Sequence, residues 1–316
     1  MNDRERIALF NRIKLIAFVL INIIFGITTA PKAELLPLEY DGVNPGELAA
    51  YIYTNNIPTK SLLVLLHGCG QDSQTFTKKT GLLEAAERKN FMLLLPQQTK
   101  SNNAQLCFNW FSPIDQHGDK GESASIIAMI NFVKSKYAIT DIYIAGLSAG
   151  GSMTSNLISL HPGLFHSAAI ISGIGYPCAD DLVKAISCMK NGMVQDLLGP
   201  ATILLNQQKQ SVQWPNLSVI TGTSDNIVNP KNSNQLAELW SLILHTNTTE
   251  TKQISGASLH IKRNQQNNKF VSLIEIDGMG HGWPVNSEQE FGGKPSMFVP
   301  EASISAANYI INLWAL

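Results

Sequence analysis

Apolar residues recur along this chain in two alternating rhythms. Short unbroken runs at 49–53, 62–66, 91–95, 142–145, 168–172, 217–221 and 271–276 have the length and the Val, Ile, Leu and Tyr content of strands. Between them, residues 79–89, 123–137, 234–245 and 301–313 place apolar side chains at helical spacing, as do Met153, Leu157, Ile158 and Leu160. Strands that are apolar throughout and alternate with helices predict a parallel sheet covered on both faces, in one α/β domain. Residues 176–215 break the rhythm with two cysteines, several glutamines and Trp214-Pro215. Such an insertion is read as a cap or cleft wall over the carboxyl ends of the strands, a surface excursion being the alternative.

The start of the chain follows another pattern. Arg4, Arg6, Arg12 and Lys14 precede an apolar stretch over 15–27, and the small residues Thr28, Thr29 and Ala30 follow. This is the layout of a secretory signal over 1–33, cleaved near Ala30 or Ala33, with a secreted or periplasmic body over 34–316. An uncleaved anchor is the alternative, although the run is short for a membrane span; after cleavage no stable membrane association is expected. Loss of this basic segment leaves the body mildly acidic. With 23 Lys and Arg against 24 Asp and Glu, the chain has no basic surplus and is not expected to bind nucleic acid.

Four cysteines, an even number, suit an oxidising compartment. Cys178 and Cys188 are close in sequence and would close a short loop; Cys69 and Cys107 are the others, and three connectivities remain open. No C-x-x-C or paired-histidine spacing occurs, so no metal site is expected.

The chemistry concentrates after the run 142–145, in Gly146-Leu147-Ser148-Ala149-Gly150-Gly151. A sharp turn from strand to helix there would lift the Ser148 hydroxyl above the sheet edge, with glycines where side chains would collide. A serine at its ordinary pKa is a poor nucleophile, so it needs a base, and the base needs a partner that fixes its tautomer. Asp225 follows the strand 217–221, and His281 follows the strand 271–276 between Gly280 and Gly282. Asp180 and Asp181 are read as first-turn helix acids. His161, His166, His245 and His260 lack a comparable setting, and His67, at a strand end, is read as structural. A developing oxyanion needs two backbone donors. One is expected from Ala149, the other from Cys69 in the loop 67–72, with Gly70 as its alternative. Trp110, Phe111 and Trp283 are candidates for a substrate-binding wall, core packing being the alternative.

Several segments together resemble the poly(3-hydroxybutyrate) depolymerase family of esterases, which includes feruloyl and acetylxylan esterases. They are Asn44-Pro45-Gly46, Leu66 through Gln71, Cys107-Phe108-Asn109-Trp110-Phe111, Gly121-Glu122 with Ser125-Ile126, Gly146 through Thr154, Asp225 through Pro230, and Gly280 through Pro284. The resemblance implies an α/β-hydrolase fold, a mainly parallel central sheet with helices on both faces. It further implies a triad of Ser148, Asp225 and His281, Cys69 at the oxyanion hole, and a Cys69–Cys107 disulfide pinning that loop to the aromatic segment. Phe108 stands where the family often has Trp, and Val285-Asn286 replaces a common glycine pair; both departures bear on substrate preference. Extracellular polymer depolymerases of the family carry a linker and a separate substrate-binding domain, neither of which is read here. The expected activity is therefore serine esterase action on short 3-hydroxybutyrate-type oligoesters or other small esters, through an acyl-enzyme and without a cofactor. Feruloyl or acetylxylan esterase action is the nearer alternative, peptidase action a more distant one, and a catalytically silent binding protein an alternative of another class.

Overall fold

The computed structural model describes residues 34–316, apart from 56, 194, 195, 209–211 and 255; the expected signal segment lies outside the described residues. Ten strands form one sheet: β1 (Leu36–Pro37), β2 (Ala49–Tyr53), β3 (Ser61–Leu66), β4 (Met92–Gln97), β5 (Asp141–Leu147), β6 (Ser167–Ile171), β7 (Asn216–Gly222), β8 (Thr248–Ile254), β9 (Ala257–Arg263) and β10 (Phe270–Ile276). Their spatial order is β1-β2-β4-β3-β5-β6-β7-β10-β9-β8. The middle of the sheet, from β4 across to β10, is parallel, and antiparallel strands finish both sides. The sheet is thus mainly parallel, as expected.

Burial explains which strands are central. Leu62, Leu63, Val64, Leu65 and Leu66 of β3 are wholly buried, as a strand covered on both faces must be. β8 is the opposite case, exposed along nearly its whole length. It forms a hairpin with β9 that closes through Gly256 at φ 65°. Sequence patterning misses β8 because a strand wet on both faces carries no apolar period; β9 does carry one, Ala257, Leu259 and Ile261 being buried in alternation.

Helices α1 (Ser73–Thr80), α2 (Leu82–Lys89), α3 (Gly121–Tyr137), α4 (Ala149–Leu160), α5 (Leu182–Asn191), α6 (Leu198–Gln207), α7 (Lys231–Ile243) and α8 (Ala306–Trp314) complete the described domain. The expected helix over 79–89 is two, because Gly81 at φ 85° ends α1 and starts α2. The last helix begins later than expected, at Ala306, where the Ser305 hydroxyl accepts from the Asn308 amide at 3.2 Å. β4 runs through Pro96, past Leu94, the last residue it pairs with β3.

This topology places the site. From β3 the chain moves outward to β4, then returns to lay β5 on the other side of β3. The order reverses between β3 and β5, and ligand crevices in open α/β sheets lie at the carboxyl ends of such a pair. Cys69 follows β3 and Ser148 follows β5.

Candidate active site

Ser148 joins β5 to α4 at φ 55° and ψ −120°, a conformation costing about 1–3 kcal/mol for a residue with a side chain. Its amide donates to the Ile171 carbonyl at 2.9 Å, fixing the turn on β6. The flanking glycines are required by space. A Cβ on Gly146 would lie 2.3 Å from the Gly150 carbonyl oxygen, and one on Gly150 would lie 2.4 and 2.5 Å from those of Leu66 and His67. Gly150→Ala is therefore expected to destabilise the fold by about 1–3 kcal/mol, read as a lower urea midpoint; a melt superimposable on the parent would disprove the tight elbow.

Asp225 follows β7 and is fully enclosed. Its Oδ1 accepts from the Ile227 and Val228 amides, both at 2.9 Å, and its Oδ2 lies 2.7 Å from His281 Nδ1. The side chains of His281 and Asp225 are 5% and 0% exposed. Burial pushes the Asp225 carboxyl up, but the hydrogen bond and charge of His281, with the two amides, outweigh it and hold the carboxyl below its ordinary value. An ionised carboxylate only accepts, so His281 Nδ1 carries the proton and donates it, leaving Nε2 free of this bond. Of the two glycines beside His281, only Gly282 is crowded: a Cβ there would meet Pro300 Cδ at 2.5 Å, whereas Gly280 faces open space.

Two amides face the question of oxyanion binding. Ala149 opens α4, where a first-turn N–H has no intrahelical acceptor. In the loop after β3, the Gly70 amide already donates to the Gln105 carbonyl at 2.8 Å, and the Gly68 amide to Gln71 Oε1 at 2.8 Å. The Cys69 amide has no acceptor among the described residues. Of the two expected donors in this loop, Gly70 is thus engaged and Cys69 is not.

The loop is anchored from below. Cys69 and Cys107 form a disulfide, as do Cys178 and Cys188; constraining the longer loop, with a separation of 38 residues, is worth about 4 kcal/mol on a chain-entropy estimate. Beneath it, wholly buried Glu122 gathers the segment. Its Oε1 accepts from Gln98 Nε2 (2.6 Å), Asn102 Nδ2 (2.9 Å) and Asn109 Nδ2 (2.7 Å), and its Oε2 from the Asn109 amide (2.8 Å). Burial, then the charge of Asp115, push this carboxyl up to about 7 against the pull of Gln98 and Asn109. His67 is structural, as read from sequence: Nδ1 donates to the Gly68 carbonyl at 2.8 Å and Nε2 accepts from the Gln98 amide at 3.1 Å. Burial drives its pKa to about 4, so the ring is neutral.

Ser148, His281 and Cys69 line one cavity of about 220 Å³, with Leu147, Ile227 and Phe298 among its apolar walls. Met189 of α5, within the 176–215 stretch, is another. It is fastened to the Asp225 loop by the Asn229 amide, which donates to the Met189 carbonyl at 2.8 Å. Asp181 caps α5 and Asp180, one residue earlier, pairs with Lys184; both precede the first turn, whereas the sequence reading puts them within it.

The aromatic wall expected from sequence is corrected. Trp110, Phe111 and Trp283 do not line this cavity. Trp283 is completely buried, edge-on to Phe76 at 5.6 Å, and Trp110 is 7% exposed, edge-on to Phe111 at 5.5 Å. Trp110 and Trp283 spend their apolar area on the core, and partly buried Phe111 packs against it. The lining falls instead to Met189, Ile227 and Phe298, of which only Ile227, two residues past Asp225, had a positional signal. Among the described residues no group of three or more His, Cys, Asp or Glu is arranged to hold a metal ion.

The comparisons with known proteins agree with this geometry. Residues 49–255 match the family described as Esterase PHB depolymerase. Among curated proteins, poly(3-hydroxyalkanoate) depolymerase C of Paucimonas lemoignei is 28% identical over 302 residues, 91% of this chain and 72% of the relative. Feruloyl esterase B of Talaromyces stipitatus is 26% identical over 270 residues, 82% and 75% of the two chains. Among solved structures, an acetyl xylan esterase from Aspergillus awamori matches at TM-score 0.70 and 20% identity, over 78% of this chain and 94% of its own, and shows the shared α/β-hydrolase fold. With its sheet, elbow and matched segments in family order, the chain belongs to the Esterase PHB depolymerase family and is an esterase by family.

Proposed function

We propose that this protein is a serine esterase, acting outside the cytoplasm, that hydrolyses short oligoesters of the 3-hydroxybutyrate type. The observation that carries the hydrolytic role is the 2.7 Å contact of His281 Nδ1 with buried Asp225, in a ring that shares one cavity with Ser148. His281 Nε2 takes the proton of Ser148 as Oγ attacks the ester carbonyl. The oxyanion rests on the Cys69 and Ala149 amides. As the acyl C–O bond breaks, His281 returns the proton to the departing alcohol. Water then attacks the acyl-enzyme by the same route, releasing the acid and restoring Ser148.

The cavity supports the choice of ester. At about 220 Å³ it is smaller than the roughly 300–1,000 Å³ of drug-sized ligand pockets, and apolar apart from Gln71 and the reacting groups, which suits a short acyl group better than a bulky aromatic acid. Similarity to feruloyl esterase B keeps feruloyl or acetylxylan ester hydrolysis as the second reading. Two disulfides in one domain support action in an oxidising compartment.

Hydrolysis of 3-hydroxybutyrate oligomers should be compared with that of methyl ferulate and acetylated xylan. Preference for the latter two would replace the substrate assignment. A fluorophosphonate probe should label Ser148; folded protein that stays unlabelled would favour a non-catalytic binding role.

A further inference from the structure

A second cavity, of about 190 Å³, adjoins the one that holds Ser148, and the two share Gln71 and Phe298 as walls. One side is α1 with its cap: Asp72, Thr75, Phe76 and Lys79 stand at i, i+3, i+4 and i+7, along one helix face. The other is a tight hairpin in which Ser296 and Val299 exchange backbone hydrogen bonds, both at 2.9 Å, with Met297 and Phe298 at the tip. The cavity therefore starts at Gly70 and Gln71, beside Cys69, and runs along α1 to Lys79. At 1.5 Å per residue, Lys79 lies about 10 Å along the helix from Asp72.

Its two charges differ in engagement. Asp72 caps α1, its Oδ1 accepting from the Thr75 amide at 2.8 Å. Lys79 is half-buried, and among the described residues no carboxylate pairs with it. A separation near one Debye length leaves Asp72 little power to oppose an anion at Lys79.

We propose that this second cavity binds the carboxylate-bearing end of an oligomeric hydroxyacid ester, with Lys79 pairing with the carboxylate. The assignment rests on the reading of Ser148 as the centre of ester hydrolysis. When a hydroxyacid oligomer is cut, the acyl C–O bond breaks and the fragment that leaves as the alcohol, taking the His281 proton, always carries the chain's free carboxyl end. A 3-hydroxybutyrate repeat has four chain atoms to the three of a peptide residue, so it extends about 4–5 Å. Two repeats cover the distance from the cavity mouth to Lys79.

Two measurements test this. In the first, the hydroxybutyrate trimer as its free acid and as its methyl ester are compared as substrates at pH 7.5. The parent should prefer the acid by about three- to fivefold in kcat/KM through a lower KM, the size of a partly exposed ion pair. Lys79→Met should remove the preference, Lys79→Arg should keep it, and 0.5 M NaCl should shrink it. In the second, the dimer acid and its methyl ester are titrated calorimetrically into Ser148→Ala protein, where the acid should bind more tightly and lose that margin in the Lys79→Met background. Equal binding of acid and methyl ester, or a margin that survives Lys79→Met, overturns the subsite. Lys79-dependent binding of the acid by a protein that cleaves no ester supports the subsite and overturns the hydrolytic reading alone.

Discussion

Ser148→Ala is expected to lower kcat for ester hydrolysis by about 10⁶-fold, the scale on which nucleophile loss acts in triad enzymes, with the urea midpoint nearly unchanged. The substitution removes one oxygen and keeps the Cβ that the φ 55° turn already accommodates. No acyl-enzyme can then form, so the pre-steady-state burst of alcohol and the fluorophosphonate label should vanish together. What persists is the small acceleration provided by the amides of Cys69 and Ala149 acting on a bound ester. Retention of more than a few per cent of the parent rate by freshly purified variant would remove Ser148 from the mechanism.

Asp225→Asn should cost about 10⁴-fold in kcat, for a reason visible in the bonds. The Asn oxygen can still accept from the Ile227 and Val228 amides, which turns the amide NH₂ toward His281 Nδ1. That nitrogen must then accept, the proton moves to Nε2, and His281 can no longer take a proton from Ser148. A linked stability effect has a definite sign. The folded carboxyl is held below its unfolded value, so its contribution is in force above about pH 4 and is lost as pH falls through the lower folded value. Urea titrations of parent and variant should accordingly differ at pH 7 and converge as the solution is acidified; a gap that widens in acid would contradict the charged Asp225 described above.

Much of the site is legible in sequence because the parallel sheet converts chain order into position. Ser148, Asp225 and His281 each follow a strand of the parallel core, and such strands end on one side of the sheet. Finding the strands therefore brings the three loops to one edge. Cys69 is equally accessible, since it follows β3 and is preferred to Gly70 on sequence; the bond from the Gly70 amide to Gln105 favours the same choice. What sequence could not reach depended on partners distant in the chain. Trp283 adjoins His281 yet faces away from the cavity, because Phe76 of α1 offers it a fully buried partner. Phe298 reaches the cavity from a hairpin tip at φ 57°, a place with no periodicity to announce it. Strand β8 escapes for the converse reason, being too polar to register as sheet, whereas β9 alternates Ala257, Leu259 and Ile261.

The polar strand β8 also decides where the sheet stops. An outer strand exposes a row of unpaired N–H and C=O groups on which another chain can add. Along β8 the exposed run Thr249, Glu250, Thr251, Lys252 and Gln253 guards this row, with Glu250 and Lys252 paired at 2.9 Å. An incoming strand would have to strip water from both charges while offering them no better partner. On the opposite side β1 is only two residues long, too short a template for strand addition. The two rims thus make strand addition from another molecule unfavourable at either side of an otherwise strongly apolar sheet.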